Sequence, residues 1–205
     1  MKSPVNHSVS AEIITSLSEK DEVLAQLIRE RGNIKIPVFE DPFYSLVMSI
    51  VYQQLSFRAA ETIFNRLLER VGQDVRPEIL SALEVEDYRS LGVSRQKANY
   101  ILDICRHFNE YPERFSALHE MQDEAVVEAL CEIKGVGRWT AQMFLMFTLI
   151  RPDVFPIGDL GIRKAISQLY DLPVDAPLPE FEKLAESWAP YRSYACHYLW
   201  HMNDQ

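Results

Sequence analysis

Apolar residues recur along this 205-residue chain at the three- and four-residue spacing of helices that bury one face. The stretch FRAAETIFNRLLERVG is the clearest case, since Ala60, Phe64 and Leu67 share one face and Gly72 ends the segment. The nearly all-apolar stretch PFYSLVMSIVYQQLS, which begins at Pro42, predicts a central buried helix. No segment alternates apolar and polar residues convincingly enough to predict a strand.

Helix start and stop signals divide the rest of the chain into further helices. Ser18 and Asp21 precede a helix predicted to end at Arg31, before Gly32. The remaining predicted helices lie near residues 76–83, 84–91, 94–108, 123–133, 138–150, 160–170, 180–188 and 191–201. With about ten helices, we expect an all-α fold, a single domain over residues 1–205 with two helical lobes around a cleft.

Composition limits the class of protein. The hydrophobic content of 47% suits an ordinary globular protein, and the chain has no apolar run of about 18 residues that could span a membrane. The N-terminus lacks an apolar signal stretch, so we expect an intracellular protein, cytoplasmic (at the nucleoid) in a bacterium or nuclear in a eukaryote. Cys105, Cys131 and Cys196 are scattered without a CxxC, which predicts buried thiols rather than disulfides, a zinc site or an iron–sulfur cluster. The five histidines show no ligand spacing, so no transition metal is predicted.

The net charge of −9 argues against a nucleic-acid partner for the chain as a whole. The distribution is uneven, however, because residues 134–164 carry five basic side chains and only two acidic ones. This segment either holds a phosphate backbone or is basic by chance, and charge alone does not decide between the two interpretations.

The basic segment begins with Lys134-Gly135-Val136-Gly137 between two predicted helices, which is a helix–hairpin–helix pattern. We expect both glycines to permit positive φ and the close approach of another backbone. The first N–H groups of the helix that begins near Arg138 lack intrahelical partners and, with the helix dipole, would bind a phosphate. Such a clamp recognises phosphate position rather than base sequence. A tight helix–helix turn with a glycine cap is the alternative interpretation.

A proline-bounded loop, residues 151–161, follows the second helix and carries Asp159 to the start of another helix. Locally, Asp159 is predicted to cap the helix LGIRKAISQLY. A carboxylate held at a helix N-terminus also has a setting that favours its charged form. Asp159 is therefore a candidate functional group as well as a cap.

The combination EIKGVGRWTAQMFLMF…DVFPIGDLGIRKA resembles the signature of the helix–hairpin–helix (HhH-GPD) DNA glycosylases, with their Gly/Pro-rich loop and catalytic aspartate. IVYQQLSFRAAETIFNRL resembles the family's early helix with its Gln-Gln-apolar-Ser turn, and LGVSRQKANYILDIC resembles its lysine-bearing central helix. YRSYACHYLWH resembles the C-terminal helix of the AlkA-type branch, the DNA-3-methyladenine glycosylases. The resemblance covers about residues 40–202 and is to compact all-α members that lack the β-rich N-terminal subdomain.

The resemblance implies that Asp159 is the catalytic residue and that the hairpin motif spans about 123–150. In the bifunctional members, of the endonuclease III kind, a lysine at the position of Trp139 attacks the sugar. Tryptophan has no nucleophilic nitrogen, so we expect a monofunctional hydrolase without AP-lyase activity. The residues expected to line the base pocket are Trp139, Trp200, Met143 and Tyr44, with Tyr52, Trp188 and Tyr191 as further aromatic candidates.

The resemblance also implies a monomeric protein whose partner is double-stranded DNA containing alkylated bases, with no membrane. Gln54, or alternatively Leu55, is expected to fill the gap that a flipped base leaves; a polar helix end is the alternative interpretation of Gln53 and Gln54. No cofactor is implied, apart from Na⁺ or K⁺ held by the backbone carbonyls of Cys131, Ile133 and Val136. The residues expected to contact DNA are Lys134, Gly135, Val136, Gly137, Arg138, Thr140, Gln53, Gln54, Leu55, Ser56 and Arg163.

Together these features predict hydrolysis of the N-glycosidic bond of alkylated purines such as 3-methyladenine and 7-methylguanine, a step of base excision repair. Alkylation at N3 or N7 makes the base a positively charged, activated leaving group, so one carboxylate is expected to suffice. The alternatives are a non-catalytic DNA-binding module with the same hairpin and a glycosylase for oxidised or deaminated bases.

Overall fold

Helices dominate the structure, a computed structural model that describes residues 4–202. The first and last three residues of the predicted domain lie outside the described residues. Within residues 4–202 there are thirteen α-helices and one 3₁₀ helix, which confirms the expected all-α class. The helices, in chain order, are Ala11–Lys20 (α1), Glu22–Arg31 (α2), Pro42–Tyr52 (α3), Phe57–Arg70 (α4), Pro77–Ser81 (α5), Val85–Ser90 (α6), Arg95–Glu110 (α7), Pro112–Ser116 (α8), Asp123–Cys131 (α9), Arg138–Phe147 (α10), Leu160–Tyr170 (α11), Leu178–Ala185 (α12), the 3₁₀ helix Glu186–Trp188, and Arg192–His201 (α13).

The prediction that the chain has no strand was wrong in one place. Strands Val5–Ser8 (β1) and Lys35–Val38 (β2) pair antiparallel, with Val5 opposite Val38. Each strand has only four residues, which is too short for a period-two pattern to stand out from the helical pattern around it.

Side-chain caps explain where several helices begin. Asp21 accepts a hydrogen bond from the Leu24 N–H at 2.9 Å and so starts α2, which ends at Arg31 before Gly32 with φ 66°. The predicted end of this helix is confirmed. Its predicted start near Ser18 was wrong, because that residue lies inside α1.

The described chain forms two compact units. The first, here called the hairpin unit, comprises Pro4 and residues 39–144 of the described chain. In it α7 packs against α3, α5 and α6 through a fully buried face that includes Ala98, Ile101 and Ile104. This long helix is therefore the support on which the rest of the unit is arranged.

The second unit, here called the aspartate unit, comprises residues 5–38 and the chain from Leu145 onward. In it α13 packs against α11 and α2. Trp188 is fully buried in the core of this unit, and the Trp188 indole N–H donates to Asp21 at 2.8 Å. The hydroxyl of half-buried Tyr170 donates to the same carboxylate oxygen at 2.8 Å. Trp188 is thus a core residue rather than part of an exposed pocket.

Two expectations from composition concern burial. Cys105 and Cys196 are fully buried, whereas Cys131 is exposed at the last turn of α9, so the expectation of a buried thiol was wrong there. Within residues 4–202, no helix combines the length and the apolar character needed to cross a bilayer.

Candidate active site and nucleic-acid interface

The predicted hairpin lies between α9 and α10 and is closed by a hydrogen bond from the Val136 N–H to the Ile133 carbonyl at 3.1 Å. Gly135 has φ 86°, and a Cβ there would lie 2.2 Å from the Tyr100 ring, so both conformation and packing require glycine. Gly137 has no positive φ, and a Cβ built on it meets nothing within 4 Å. The expectation of positive φ was therefore confirmed for Gly135 and wrong for Gly137, which instead leaves open space at the start of α10.

Hairpin side chains make contacts that the sequence did not indicate. The Arg138 guanidinium pairs with both carboxylate oxygens of Glu124, at 2.7 and 2.8 Å, on an exposed surface. This hydrogen bonding raises the pKa of Arg138 and lowers the pKa of the Glu124 carboxyl. The positive charge predicted to face DNA therefore already has an acidic neighbour.

The Gln-Gln-Leu-Ser turn, residues 53–56, follows the end of α3. Gln53 points inward, since its side-chain amide donates to the Gly135 carbonyl at 3.0 Å and lies 3.4 Å from the hydroxyl of buried Thr140. Gln54 has φ 55° and is exposed, and Leu55 is 41% exposed. Gln54 and Leu55, the two residues predicted as alternatives to fill the gap left by a flipped base, are therefore both exposed to solvent.

The far end of this turn begins the next helix. Ser56, predicted to contact DNA, accepts a weak hydrogen bond from the Ala59 N–H at 3.4 Å and caps α4. Phe57, which sequence reasoning did not select, is 71% exposed and packs edge-on against Tyr52 with ring centroids 5.8 Å apart. Its exposure could not be predicted from the sequence, because Phe57 lies three residues before Ala60 and seven before Phe64 and therefore has the spacing of the buried face of α4.

A cavity of about 440 Å³ opens beside this turn in the hairpin unit. Its volume is in the range of small-molecule sites. Trp139, which was predicted to line a base pocket, is 46% exposed and forms part of the wall of this cavity, so a core position for this tryptophan is excluded. The lining residues are Met48, Ser49, Tyr52, Gln53, Gln54, Trp139, Thr140 and Met143.

Tyr44 does not line this cavity. It is 4% exposed and packs edge-on against Phe64 with ring centroids 5.3 Å apart, in the core of the hairpin unit. Tyr52, which lies eight residues further along α3, lines the wall of the cavity instead. Burial raises the pKa of the Tyr52 hydroxyl above its ordinary value, with a smaller effect from Glu61.

Asp159 lies at the N-terminus of α11, and its cap interpretation is confirmed. Its Oδ1 accepts the Ile162 N–H at 2.9 Å and the Trp200 indole N–H at 3.2 Å. A Cβ at Gly161 would lie 3.1 Å from the same oxygen, so glycine keeps space beside the carboxylate. The Trp200 ring stacks on Phe147 with centroids 5.7 Å apart. Trp200 was predicted to line a base pocket, and the structure places it against the carboxylate.

The loop that carries Asp159 is anchored to the start of α13. Asp153 forms a two-point ion pair with Arg192, at 2.7 and 2.8 Å, and this pairing lowers the pKa of Asp153. Ser193 accepts the Val154 N–H at 2.8 Å and donates its own N–H to the Pro152 carbonyl at 3.0 Å. Sequence reasoning missed these anchors because the partners lie about forty residues apart in the chain.

Arg163, predicted to contact DNA, lies in the first turn of α11. Its backbone N–H donates to the Asp159 carbonyl at 3.1 Å, and its side-chain Nε is buried without a hydrogen-bond partner in the structure. Of the carbonyls predicted to hold Na⁺ or K⁺, that of Ile133 already accepts one hydrogen bond and keeps a second lone pair. Among residues 4–202, no group of three His, Cys, Asp or Glu side chains could hold a metal ion.

The Gln-Gln-Leu-Ser turn, the hairpin and the capped aspartate all lie within a segment of the chain that matches a known family. Residues 47–190 match the model of the HhH-GPD superfamily of base excision DNA repair proteins. This match spans more than half of the chain, so the chain belongs to that superfamily.

Individual similar proteins indicate which members of the superfamily this chain resembles. The chain is 31% identical over 184 residues to YfjP of Bacillus subtilis, whose name assigns it provisionally as a DNA-3-methyladenine glycosylase; the match covers 86% of this chain and 64% of that one. A crystal structure of DNA-3-methyladenine glycosidase from Bacillus halodurans superposes with a TM-score of 0.84 at 36% identity, over 96% of this chain and 91% of that one. The Schizosaccharomyces pombe 3-methyladenine DNA glycosylase Mag1, solved with abasic DNA, gives a TM-score of 0.82 at 31% identity, over 95% and 98% of the two chains.

Proposed function

We propose that this protein is a DNA glycosylase that hydrolyses the N-glycosidic bond of alkylated purines in double-stranded DNA, as the first step of base excision repair. The observation that carries the proposal is Asp159, held at the start of α11 by the Ile162 N–H and the Trp200 indole in a chain of the HhH-GPD superfamily. The names of the similar proteins, which refer to 3-methyladenine, support the substrate class.

Asp159 is the proposed catalytic residue. As the bond to the base lengthens, positive charge develops on the sugar, and an oriented carboxylate stabilises this charge electrostatically. Two hydrogen bonds to Oδ1 fix the orientation of the carboxylate before substrate arrives, so little reorganisation is needed during the reaction. The same carboxylate would position the water that completes hydrolysis.

The cavity in the hairpin unit is the proposed contact surface for the extruded base. Trp139 and Tyr52 present aromatic surface there, and a base alkylated at N3 or N7 carries positive charge. Cation–π contact contributes about 0.5–2 kcal/mol, which gives a moderate preference for charged lesions over normal purines. The greater lability of the bond to an alkylated base supplies the remaining selectivity.

The hairpin is the proposed phosphate clamp. The protein is proposed to act as a monomer. Open space at Gly137 lets a DNA phosphate approach the N-terminus of α10, where the helix dipole and main-chain N–H groups favour an anion. The carbonyls of Cys131, Ile133 and Val136 would hold Na⁺ or K⁺ at the same turn. Main-chain recognition of this kind is compatible with an acidic protein because it does not need a surplus of basic side chains.

The reaction is proposed to stop at base release, without cleavage of the DNA strand. Trp139 stands where the resemblance places the lysine of the bifunctional enzymes, and an indole cannot form a Schiff base with the sugar. Borohydride added during the reaction should therefore trap no covalent protein–DNA adduct. A trapped adduct would contradict this part of the proposal.

Base release from defined DNA tests the substrate class. Methylated duplex DNA is incubated with the protein and the freed bases are separated by chromatography; duplexes with a single uracil, hypoxanthine or 8-oxoguanine are run in parallel. We expect release of 3-methyladenine and 7-methylguanine and much slower release of the three other bases. Release of only oxidised or deaminated bases would reassign the substrate, and intact duplex binding without any release would make the protein a binding module.

A further inference from the structure

One side of α7 contacts both segments that are proposed to bind DNA. Lys97, Tyr100 and Asp103 are spaced three residues apart and therefore lie along one side of the helix. The Lys97 ammonium donates to the carbonyls of Val51 and Gln53, at 2.8 and 2.6 Å, where α3 ends and the Gln-Gln-Leu-Ser turn begins. One end of α7 is thus attached to the turn.

The next two residues of this row contact the hairpin. The Tyr100 ring fills the space beneath Gly135, where a Cβ would lie 2.2 Å from it. Asp103 is buried and accepts the Lys134 N–H at 2.8 Å. Burial acts to raise the pKa of Asp103, but hydrogen bonds from the Lys134 N–H and from Arg106 outweigh it and hold the pKa below its ordinary value. This acceptor is therefore charged at neutral pH.

A direct hydrogen bond joins the Gln-Gln-Leu-Ser turn to the hairpin. The Gln53 side-chain amide donates to the Gly135 carbonyl at 3.0 Å, while the Gln53 main-chain carbonyl accepts from Lys97. Gln53 is therefore held at both its backbone and its side chain. Exposed Gln54 and Leu55 follow immediately, so their position relative to the hairpin depends on these bonds.

We propose that Lys97 and Gln53 are positioning residues that hold the Gln-Gln-Leu-Ser turn at a fixed distance from the hairpin, the proposed phosphate clamp. Gln54 or Leu55 would then enter the duplex at the nucleotide set by the phosphate on the hairpin. Lys97 is assigned this structural role rather than a phosphate contact because two of the three N–H groups of its ammonium donate to carbonyls and its side chain is partly buried. Burial also lowers the pKa of Lys97. The inference rests on the proposed glycosylase function.

Three variants test this role: Lys97→Met, Gln53→Ala and the double variant. Each is measured for affinity to undamaged duplex over a range of salt concentrations, for single-turnover base release at saturating enzyme, and for base extrusion by the fluorescence of 2-aminopurine placed beside the lesion. Lys183→Met, which removes an exposed lysine on α12, is the matched control for loss of one positive charge. Thermal unfolding establishes that each variant is folded.

We expect both single variants to bind undamaged duplex within about twofold of wild type, with an unchanged salt dependence, and to lose base release and base extrusion about tenfold. Residues that act as one unit are not additive, so the double variant should lose no more than about the larger single loss. Lys183→Met should match wild type in every measurement.

Two results would overturn the inference. If Lys97→Met lowered the slope of log affinity against log salt by about one, the lysine would be a direct phosphate contact. Fully additive losses in the double variant would show that the two residues act independently. If Lys97→Met fails to fold, Gln53→Ala alone tests the inference, and this variant must lose base extrusion while it still binds undamaged duplex. Absence of base release by wild type would instead refute the proposed function, and the fluorescence signal would still report on the turn.

Discussion

The indole N–H of Trp200 donates a hydrogen bond to Oδ1 of Asp159 at 3.2 Å. Hydrogen bonds to charged groups contribute about 1.5–3 kcal/mol, and this one also fixes the direction of a carboxylate that caps a helix. The aromatic residue predicted for a base pocket is therefore also a positioning group for the proposed catalytic residue.

Removal of this donor should slow base release without unfolding the protein. Trp200→Phe keeps an aromatic ring against Phe147 but has no N–H, and we expect single-turnover base release to fall about tenfold or more. Trp188→Phe is a matched control, since it removes an indole N–H that donates to Asp21 at 2.8 Å in the same unit. That change should lower the unfolding temperature and leave the rate per folded molecule unchanged. Equal rates for Trp200→Phe and wild type would remove Trp200 from the mechanism.

Alanine at the two hairpin glycines should affect different properties, namely stability at Gly135 and duplex binding at Gly137. Gly135→Ala places a methyl group 2.2 Å from Tyr100 at φ 86°, so we expect a loss of about 2–3 kcal/mol or more in the free energy of unfolding. Gly137→Ala has room for the methyl group and should fold normally, yet it should weaken duplex binding by obstructing the start of α10. Chemical denaturation and binding titrations measure the two effects. Unchanged duplex affinity in Gly137→Ala would exclude the proposed anion site.

The aromatic wall of the cavity should favour charged lesions. Trp139→Leu removes a π surface, and a loss of about 0.5–2 kcal/mol corresponds to roughly 2- to 30-fold slower release of 7-methylguanine. Release of the uncharged base hypoxanthine, where measurable, should change less. Tyr111→Leu, which alters an exposed tyrosine of the same unit outside the cavity, provides the control. Equal losses for charged and uncharged bases would show that the wall acts by shape alone.

His197 should make the aspartate unit less stable in acid. Burial, with a smaller effect from neighbouring His201, lowers the pKa of His197 to about 3 from an ordinary 6.5. The unfolded chain therefore binds one more proton than the folded chain between these values, so stability is lost as pH falls from about 6.5 toward 3, by up to about 1.4 kcal/mol per pH unit. Denaturation of wild type and of His197→Phe across this range measures the difference. Parallel pH profiles for the two proteins would contradict a buried neutral His197, which packs against Phe147 and Trp200.

Local signals in the sequence were sufficient for much of the fold and for Asp159. Gly32 ends α2 and Asp159 starts α11 because capping depends on residues a few positions apart. Helical periodicity likewise identified the long amphipathic segments. Strands β1 and β2 were missed since each has four residues and is stabilised by a partner about thirty residues away.

The features of the site that were not predicted from the sequence depend on contacts between residues that lie far apart in the chain. The bond from Gln53 to the Gly135 carbonyl spans 82 residues, and that from Lys97 to the Val51 carbonyl spans 46. Tyr44 and Tyr52 lie eight residues apart on the same helix, and only tertiary packing decides that the first is in the core and the second on the cavity wall. Sequence patterns report which residue types are present, whereas these roles depend on what packs against them.

The central claim is that Asp159 catalyses release of alkylated purines, and one comparison tests it most directly. Single-turnover release of 3-methyladenine and 7-methylguanine is measured for wild type, for Asp159→Asn and for Asp175→Asn, which makes the same change on an exposed loop. Asparagine can still cap α11, so all three proteins should fold and bind duplex alike. We predict a loss of about 100-fold or more for Asp159→Asn alone. Equal rates for Asp159→Asn and wild type would contradict the account.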